Sequence, residues 1–254
     1  MKQAITIAMV NEKGGVAKSS TAISVGCILS SKGYHVLLVD LDPQANLTAS
    51  LLEERHFDET IYTALMGTSP LPQVPATDNL WIVPSNVDMT LAETGIYNKV
   101  SREYILKRLL EQVKESYDFI ILDCSPSLGQ VTLNALTASD EVVIPLIPEV
   151  LPFQGLKNMM EYINMVKDNV NPDIHVTGIL LTRYEFVTIM RDIENGLRSF
   201  YGDLIFKTRI RKNTDIAKAP KEHLDIVRYA PKSNGAFDYT QFTEELLTRL
   251  TKYT

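Results

Sequence analysis

Lys13-Gly14-Gly15-Val16-Ala17-Lys18-Ser19-Ser20 follows directly on an apolar run and leads into a segment of helical period, and this stretch decides the fold. Glycines let consecutive backbone N–H groups turn inward around an anion, and the helix that follows presents its positive end to the same point. Lys18 is then placed to reach β- and γ-phosphates, and the Ser19 hydroxyl to ligate Mg²⁺. The usual spacing G-x-x-x-x-G-K-[ST] is broken once, where Ala17 stands in place of glycine. Alanine is the smallest possible departure, yet it falls where a positive φ is preferred, so strain is predicted there. Taken alone, such a stretch also describes a glycine turn with an exposed lysine. A second lysine, Lys13, and two acidic motifs further along decide against that reading.

Working outward from the loop, apolar runs of strand length alternate with helical patterns, which predicts βαβ units around a mostly parallel sheet with helices on both faces. Strands are predicted over residues 4–10, 35–40, 80–83, 119–123, 141–146 and 174–181, several of them apolar on both faces as buried parallel strands must be. Helices are predicted over residues 19–31, stopped by Gly33, then over 101–116, 130–138, 153–169, 189–200 and 239–253. Residues 67–79, with three prolines, read as a surface loop. Nothing reads as a linker or a repeat, so residues 1–254 are expected to form one α/β domain.

With 45% hydrophobic and 22% charged residues, the chain has the balance of an ordinary globular protein. No apolar stretch approaches the ~20 residues that cross a bilayer, and the N-terminus carries no signal-peptide pattern, so a cytoplasmic protein is expected. Cys27 and Cys124 lie far apart without metal-site spacing and are expected to be buried small hydrophobes. The net charge of −6 argues against a protein that coats nucleic acid over its whole surface.

The second strand ends Val39-Asp40-Leu41-Asp42-Pro43-Gln44, and the fourth ends Ile120-Ile121-Leu122-Asp123-Cys124-Ser125-Pro126. Both put carboxylates at the C-terminal edge of strands, where open α/β sheets bind ligands. Asp123 is the candidate to hold a water of the Mg²⁺ shell, Asp40 to support that shell, and Asp42 to orient an attacking water. A helix starting near Asn46 leaves a second role open for Asp40 and Asp42, that of capping its first turn.

Together the loop, the D-x-D-P-Q segment and Ile121-Leu122-Asp123-Cys124-Ser125-Pro126-Ser127-Leu128-Gly129 resemble the deviant Walker A ATPases, in particular the ParA/Soj branch. The resemblance continues through Val143-Ile144-Pro145-Leu146, Glu149 and Gly155-Leu156 to Ala230-Pro231-Lys232-Ser233-Asn234-Gly235-Ala236. It implies a P-loop NTPase fold, ATP and Mg²⁺ as ligands, and an ATP-dependent sandwich homodimer in which the signature lysine, Lys13, crosses to the partner's phosphates. It implies that Asn11 and Glu149 contact nucleotide or partner, beside the loop residues Gly14, Gly15, Val16, Ala17, Lys18, Ser19 and Ser20. Asn213 falls where the family's P-R-N pattern supplies a base contact, although Arg211 and Lys212 replace the proline and arginine. Ser125 and the 216–220 segment depart from the pattern too, and none of these changes removes a phosphate or magnesium group.

From Lys207 to Lys221 there are six basic residues and one acid, a density that can track DNA phosphates without reading sequence and can equally be a solvated face. The resemblance favours DNA: it implies nonspecific duplex binding through this region, with Arg198, Arg211, Lys212 and Lys232 as candidates, a ParB-like partner that stimulates hydrolysis, and association with the nucleoid. No helix-turn-helix pattern precedes the loop. A MinD-like positioning ATPase is the alternative. It needs a basic amphipathic C-terminal helix, and the segment Phe242-Thr243-Glu244-Glu245-Leu246-Leu247-Thr248-Arg249-Leu250 has mixed charge, so packing on the core is expected. An iron–sulfur carrier lacks its bridging cysteines, and a ligase such as dethiobiotin synthetase has no use for Lys13.

Overall fold

A computed structural model describes residues 3–54, 56–149 and 152–251. Eight strands form one sheet: β1 (Ile5–Met9), β2 (Val36–Leu41), β3 (Val74–Thr77), β4 (Leu80–Val83), β5 (Phe119–Cys124), β6 (Glu141–Leu146), β7 (His175–Tyr184) and β8 (Ile205–Arg211), in the order β3-β4-β2-β5-β1-β6-β7-β8. Every pairing is parallel except β3 with β4. The helices are α1 (Lys18–Ser31), α2 (Asn46–Leu51), α3 (Ile61–Met66), α4 (Ala92–Tyr97), α5 (Ile105–Glu111), α6 (Gln130–Ala138), α7 (Pro152–Asn169), α8 (Thr188–Tyr201), α9 (Thr214–Lys218), α10 (Ile226–Tyr229) and α11 (Asn234–Leu250).

Alternation along the strands divides the core into two layers. From β1, Ile7 and Met9 point to the layer filled by Ile23, Cys27 and Leu29 of α1 and by Tyr239, Phe242 and Leu246 of α11. Ala8 and Val10 point to the opposite layer, filled by α3 to α7 through residues such as Leu65, Ile96, Leu106, Ala135 and Ile163. Thus helices cover both faces, as the sequence predicts. α1 is buried around nearly its whole circumference from Thr21 to Ser30, and the Thr21 hydroxyl meets the Tyr239 hydroxyl of α11 at 3.3 Å. Both cysteines are free and buried.

Four expectations need correction. The 67–79 loop holds β3, which escapes notice because Pro75 and half-exposed residues break its alternation. The helix expected over 101–116 is only α5 flanked by 3₁₀ turns, since Ser101 adopts a left-handed φ of 50° just before it. The basic run from Lys207 begins as the edge strand β8, in which Ile205, Phe206 and Ile210 are buried and the charged residues alternate outward. The last helix starts at Asn234, capped by the Ser233 hydroxyl, which accepts the Ala236 N–H at 3.1 Å. Its predicted end at Tyr253 lies outside the described residues. The apolar face of α11 packs on the core as expected, and among the described residues no helix is long and apolar enough to cross a membrane.

Candidate active site

The first strand ends at Met9, a buried Val10 follows, and the chain then turns through the glycine loop into α1. Gly15 takes φ +74° and Ala17 takes φ 69°, the left-handed conformation that disfavours a Cβ. So the alanine occupies the position where strain is predicted. The Ala17 carbonyl accepts the Thr21 hydroxyl at 2.7 Å, and the buried Val16 carbonyl accepts the Thr182 hydroxyl from β7 at 3.0 Å, which fixes the loop from both sides. Asn11 is 5% exposed and ties the loop head to β6: its Nδ2 donates to the Pro145 carbonyl at 2.8 Å while its Oδ1 accepts the Lys13 N–H at 2.9 Å.

The two lysines point in opposite directions. Lys18 is 7% exposed, and its ammonium donates to the carbonyls of Asn11 at 3.0 Å and Lys13 at 3.2 Å, inside the curl of the loop. Burial lowers its pKa, against the nearby carboxylates of Asp123 and Asp42, which raise it. The Lys13 side chain turns outward and pairs with Glu149.

The acidic groups are brought together by strand register. Asp40 of β2 stands directly beside Asp123 of β5, which stands beside Met9 at the end of β1. Both aspartates are fully buried. Asp40 is already occupied: its Oδ2 accepts the Thr48 N–H at 2.9 Å and the Thr48 hydroxyl at 2.7 Å, and its Oδ1 accepts the Asp42 N–H at 3.1 Å. It therefore satisfies the first turn of α2, whose own cap position is Ala45 at φ 51°. Burial pushes Asp40 up to about 6. Asp123 differs, because neither of its carboxylate oxygens finds a hydrogen-bond partner. Burial and then the charge of Asp40 raise its pKa well above the carboxylate range, with Ser19 and Lys18 pulling the other way. Asp42 is 9% exposed, lies in the cavity wall, and takes the Gln44 N–H at 2.9 Å.

These groups border a cavity of about 630 Å³. Its floor is Gly14, Gly15, Ala17, Lys18, Ser19 and Ser20; its far wall is Ile210 to Thr214 with Ile216, Pro220, Leu224 and Ile226. The backbone donors of the loop suit the phosphates of a nucleotide, and a wall that mixes Ile210, Ile216, Pro220, Leu224 and Ile226 with the polar Asn213 suits its base. Asn213 lies in that wall, its Oδ1 occupied by the Asp215 N–H at 2.7 Å. Among the described residues no three His, Cys, Asp or Glu side chains converge to cage an ion by themselves. An unpartnered buried carboxylate beside a serine at the phosphate end suits Mg²⁺, which keeps waters and shares phosphate oxygens rather than filling an all-protein cage.

The DNA candidates differ in what holds them. Arg198 donates to Glu194 at 2.8 Å and to the Phe206 carbonyl at 2.9 Å. Arg211 forms a two-pronged pair with the buried Asp238 at 2.6 and 2.9 Å. Both arginines therefore serve internal acids, Arg198 one turn back on its own helix and Arg211 across to α11, and a charge count does not show which acids are buried. Lys212 is exposed and pairs with Glu185 at 3.1 Å, and Lys232 is exposed at the start of the turn before α11. The sequence reading missed Arg183, a cavity-lining residue held at φ 48° at the C-terminal end of β7. It also missed Thr48 and Ser85: the Ser85 N–H donates to the Thr48 hydroxyl at 3.0 Å, bracing the group that holds Asp40.

Residues 4–176 match the protein family described as an AAA domain. The chain is 36% identical over 245 residues to the sporulation initiation inhibitor protein Soj of Bacillus subtilis, covering 94% of this chain and 97% of that protein. It is 36% identical over 248 residues to the chromosome partitioning protein ParA of Myxococcus xanthus, covering 96% and 88%. The crystal structure of a cobyrinic acid a,c-diamide synthase from Mycobacterium smegmatis with bound ATP analog and magnesium superposes with TM-score 0.86 at 33% identity, covering 99% of this chain and 97% of that one. A Borrelia burgdorferi plasmid partition protein bound to AMPPNP shares the fold, with TM-score 0.83 at 23% identity over 99% and 100% of the two chains. Likeness over nearly the whole length, on a sheet and loop of this kind, makes the chain a member of the ParA/Soj family of deviant Walker A ATPases.

Proposed function

We propose that this chain is a partition ATPase that closes on ATP and Mg²⁺ into a homodimer, binds nonspecific double-stranded DNA in that state, and is released by hydrolysis that a ParB-like partner stimulates. The observation that carries this reading is the opposed setting of the two lysines: Lys18 turned into the loop, Lys13 turned out from it. One loop thereby offers a cation to its own phosphates and a second to phosphates outside its own cavity. Two nucleotides face to face concentrate negative charge, and a crossing lysine lowers the cost of closure.

In this reading the loop N–H groups from Gly14 to Ser20 and the Lys18 ammonium hold the phosphates, Asn11 fixes the loop head, and Asn213 sits by the base. Ser19 and Asp123 hold the metal, which when bound neutralises charge on the β- and γ-phosphates. Asp40 keeps Asp42 in place through the Asp42 N–H, and Asp42 orients the water whose oxygen forms the new bond to γ-phosphorus as the bond to the β–γ bridging oxygen breaks. Glu149 holds Lys13 until the partner arrives.

The test is binding to nonspecific duplex DNA with ATP, ADP or no nucleotide, across a salt series, with sizing in parallel. ATP-specific binding by a dimer that weakens steeply with salt is expected, and Lys18→Ala should abolish it. Retained binding by that variant at the same salt dependence overturns the coupling. The synthase name of one structural relative favours a second reading, in which ATP activates a carboxylate for amidation. Release of phosphate with no carboxylate substrate present would exclude it.

A further inference from the structure

The loop after Asp123 passes through Pro126, in the wall of the nucleotide cavity, to Gly129 and into α6. A helix start leaves N–H groups without intrahelical partners. Here two of them are taken by a residue of another element, Glu93 of α4: the Gln130 N–H donates to Oε2 at 2.6 Å, and the Val131 N–H donates to Oε1 at 3.3 Å. The approach is so close that a Cβ on Gly129 would lie 2.4 Å from both carboxylate oxygens. Gly129 has φ −90°, which any residue adopts, so it is the nearness of Glu93 that excludes a side chain there.

The other ties on this segment are neutral. Asn134 accepts the Leu106 N–H at 3.1 Å and donates to the Arg102 carbonyl at 2.8 Å, and the Thr132 hydroxyl donates to the Ser127 carbonyl at 2.6 Å. Among these ties Glu93 alone brings a charge, and a carboxylate at a helix N-terminus gains both from the helix dipole and from charge-assisted hydrogen bonds.

We propose that Glu93 is a positioning residue of the ATPase, clasping the start of α6 and so setting where the 124–129 loop stands against bound nucleotide. The inference rests on the cavity being the ATP site; the clasp itself does not. Four full-length variants test it: Glu93→Ala, Glu93→Gln, Gly129→Ala, and the double variant Glu93→Ala with Gly129→Ala. Each is measured for ATP hydrolysis, melting temperature and hydrogen exchange at Gln130 and Val131.

Glu93→Ala should lower kcat at least fivefold with KM for ATP changed less than twofold, and should expose both amides to exchange. Glu93→Gln keeps an accepting oxygen and should recover part of the loss. Gly129→Ala should reproduce the defect by pushing the carboxylate aside, and the double variant should be no worse than Glu93→Ala, because nothing remains to collide. A kcat within twofold of the parent in Glu93→Ala overturns the proposal, as does a double variant whose loss is the product of the two single losses. Should Glu93→Ala not fold, Gly129→Ala and Glu93→Gln decide by the same criteria. A parent protein with no turnover at all condemns the ATPase reading instead, and exchange at Gln130 and Val131 then decides the clasp alone.

Discussion

Lys13 and Glu149, 136 residues apart in sequence, pair within one chain, with side chains 55% and 49% exposed. A pair so open to solvent contributes about 1 kcal/mol or less. It is a weak tether, one that the proposed function requires Lys13 to give up before it serves a second subunit.

Glu149→Gln should therefore lower the protein concentration needed for ATP-dependent dimerisation by up to about fivefold at low salt, an effect that fades as salt screens the pair. Sedimentation velocity with a non-hydrolysed ATP analogue measures it. Weaker dimerisation would give Glu149 a role in holding nucleotide or partner in place of a restraining one.

Ala17 offers a test of strain. Relieving a left-handed alanine gains roughly 1–2 kcal/mol, offset in part by the extra freedom glycine gives the unfolded chain. Ala17→Gly should raise the melting temperature slightly and leave nucleotide affinity intact. Ala17→Val adds a β-branched side chain at φ 69° and should lose both stability and nucleotide binding. Equal stability in all three would mean that the loop relaxes away from the positive φ.

Asp40 and Asp123 make the nucleotide-free, metal-free protein pH-sensitive in a definite direction. Both have folded-state pKa values raised by burial, so the fold holds protons that the unfolded chain has released. Their contribution favours the fold below the unfolded carboxylate range and is lost as pH rises through the folded values, beginning from about 4. Asp123→Asn removes one of these groups, so its stability advantage over the parent should widen from pH 5 to pH 8 when followed by thermal unfolding. It should also respond less to Mg²⁺ with nucleotide. An advantage that shrinks with rising pH would contradict the assignment.

Among the basic residues, stability and DNA affinity should separate. Arg211→Ala leaves the buried Asp238 with the residue 211 backbone N–H but without its guanidinium partner and should cost on the order of 3 kcal/mol, seen as a fall in denaturation midpoint. Lys232→Glu touches an exposed residue and should leave the midpoint unchanged. It should also weaken ATP-dependent DNA binding and reduce the salt slope.

The parallel strands were legible because central strands are apolar on both faces, and the phosphate loop because its residues are contiguous. Edge strands β3 and β8 were not: Pro75 in one and alternating Lys and Arg in the other disguise the period. The same limit governs the site. Asp40 and Asp123 are readable as strand-end carboxylates, but their shared register is a property of pairing. Glu93 gives no sequence signal, since its partners lie 37 and 38 residues away. Arg211 looked like part of a DNA face because Asp238 enters from 27 residues away, and Arg198 because nothing in its sequence shows that Glu194, one turn back on the same helix, is buried.

The two rims of the sheet carry a further consequence. Pro75 on β3 has no N–H to offer a neighbouring strand, and on β8 the N–H groups of Lys207, Thr208 and Arg211 are taken by Glu245 and Asp238 of α11. Proline and a covering helix are among the means by which edge strands resist pairing with another chain. Growth of the sheet into fibrils or swapped oligomers is thus discouraged at both ends. On the proposed function this leaves self-association to the strand-tip face that bears the phosphate loop, where it can be made conditional on a bound ligand.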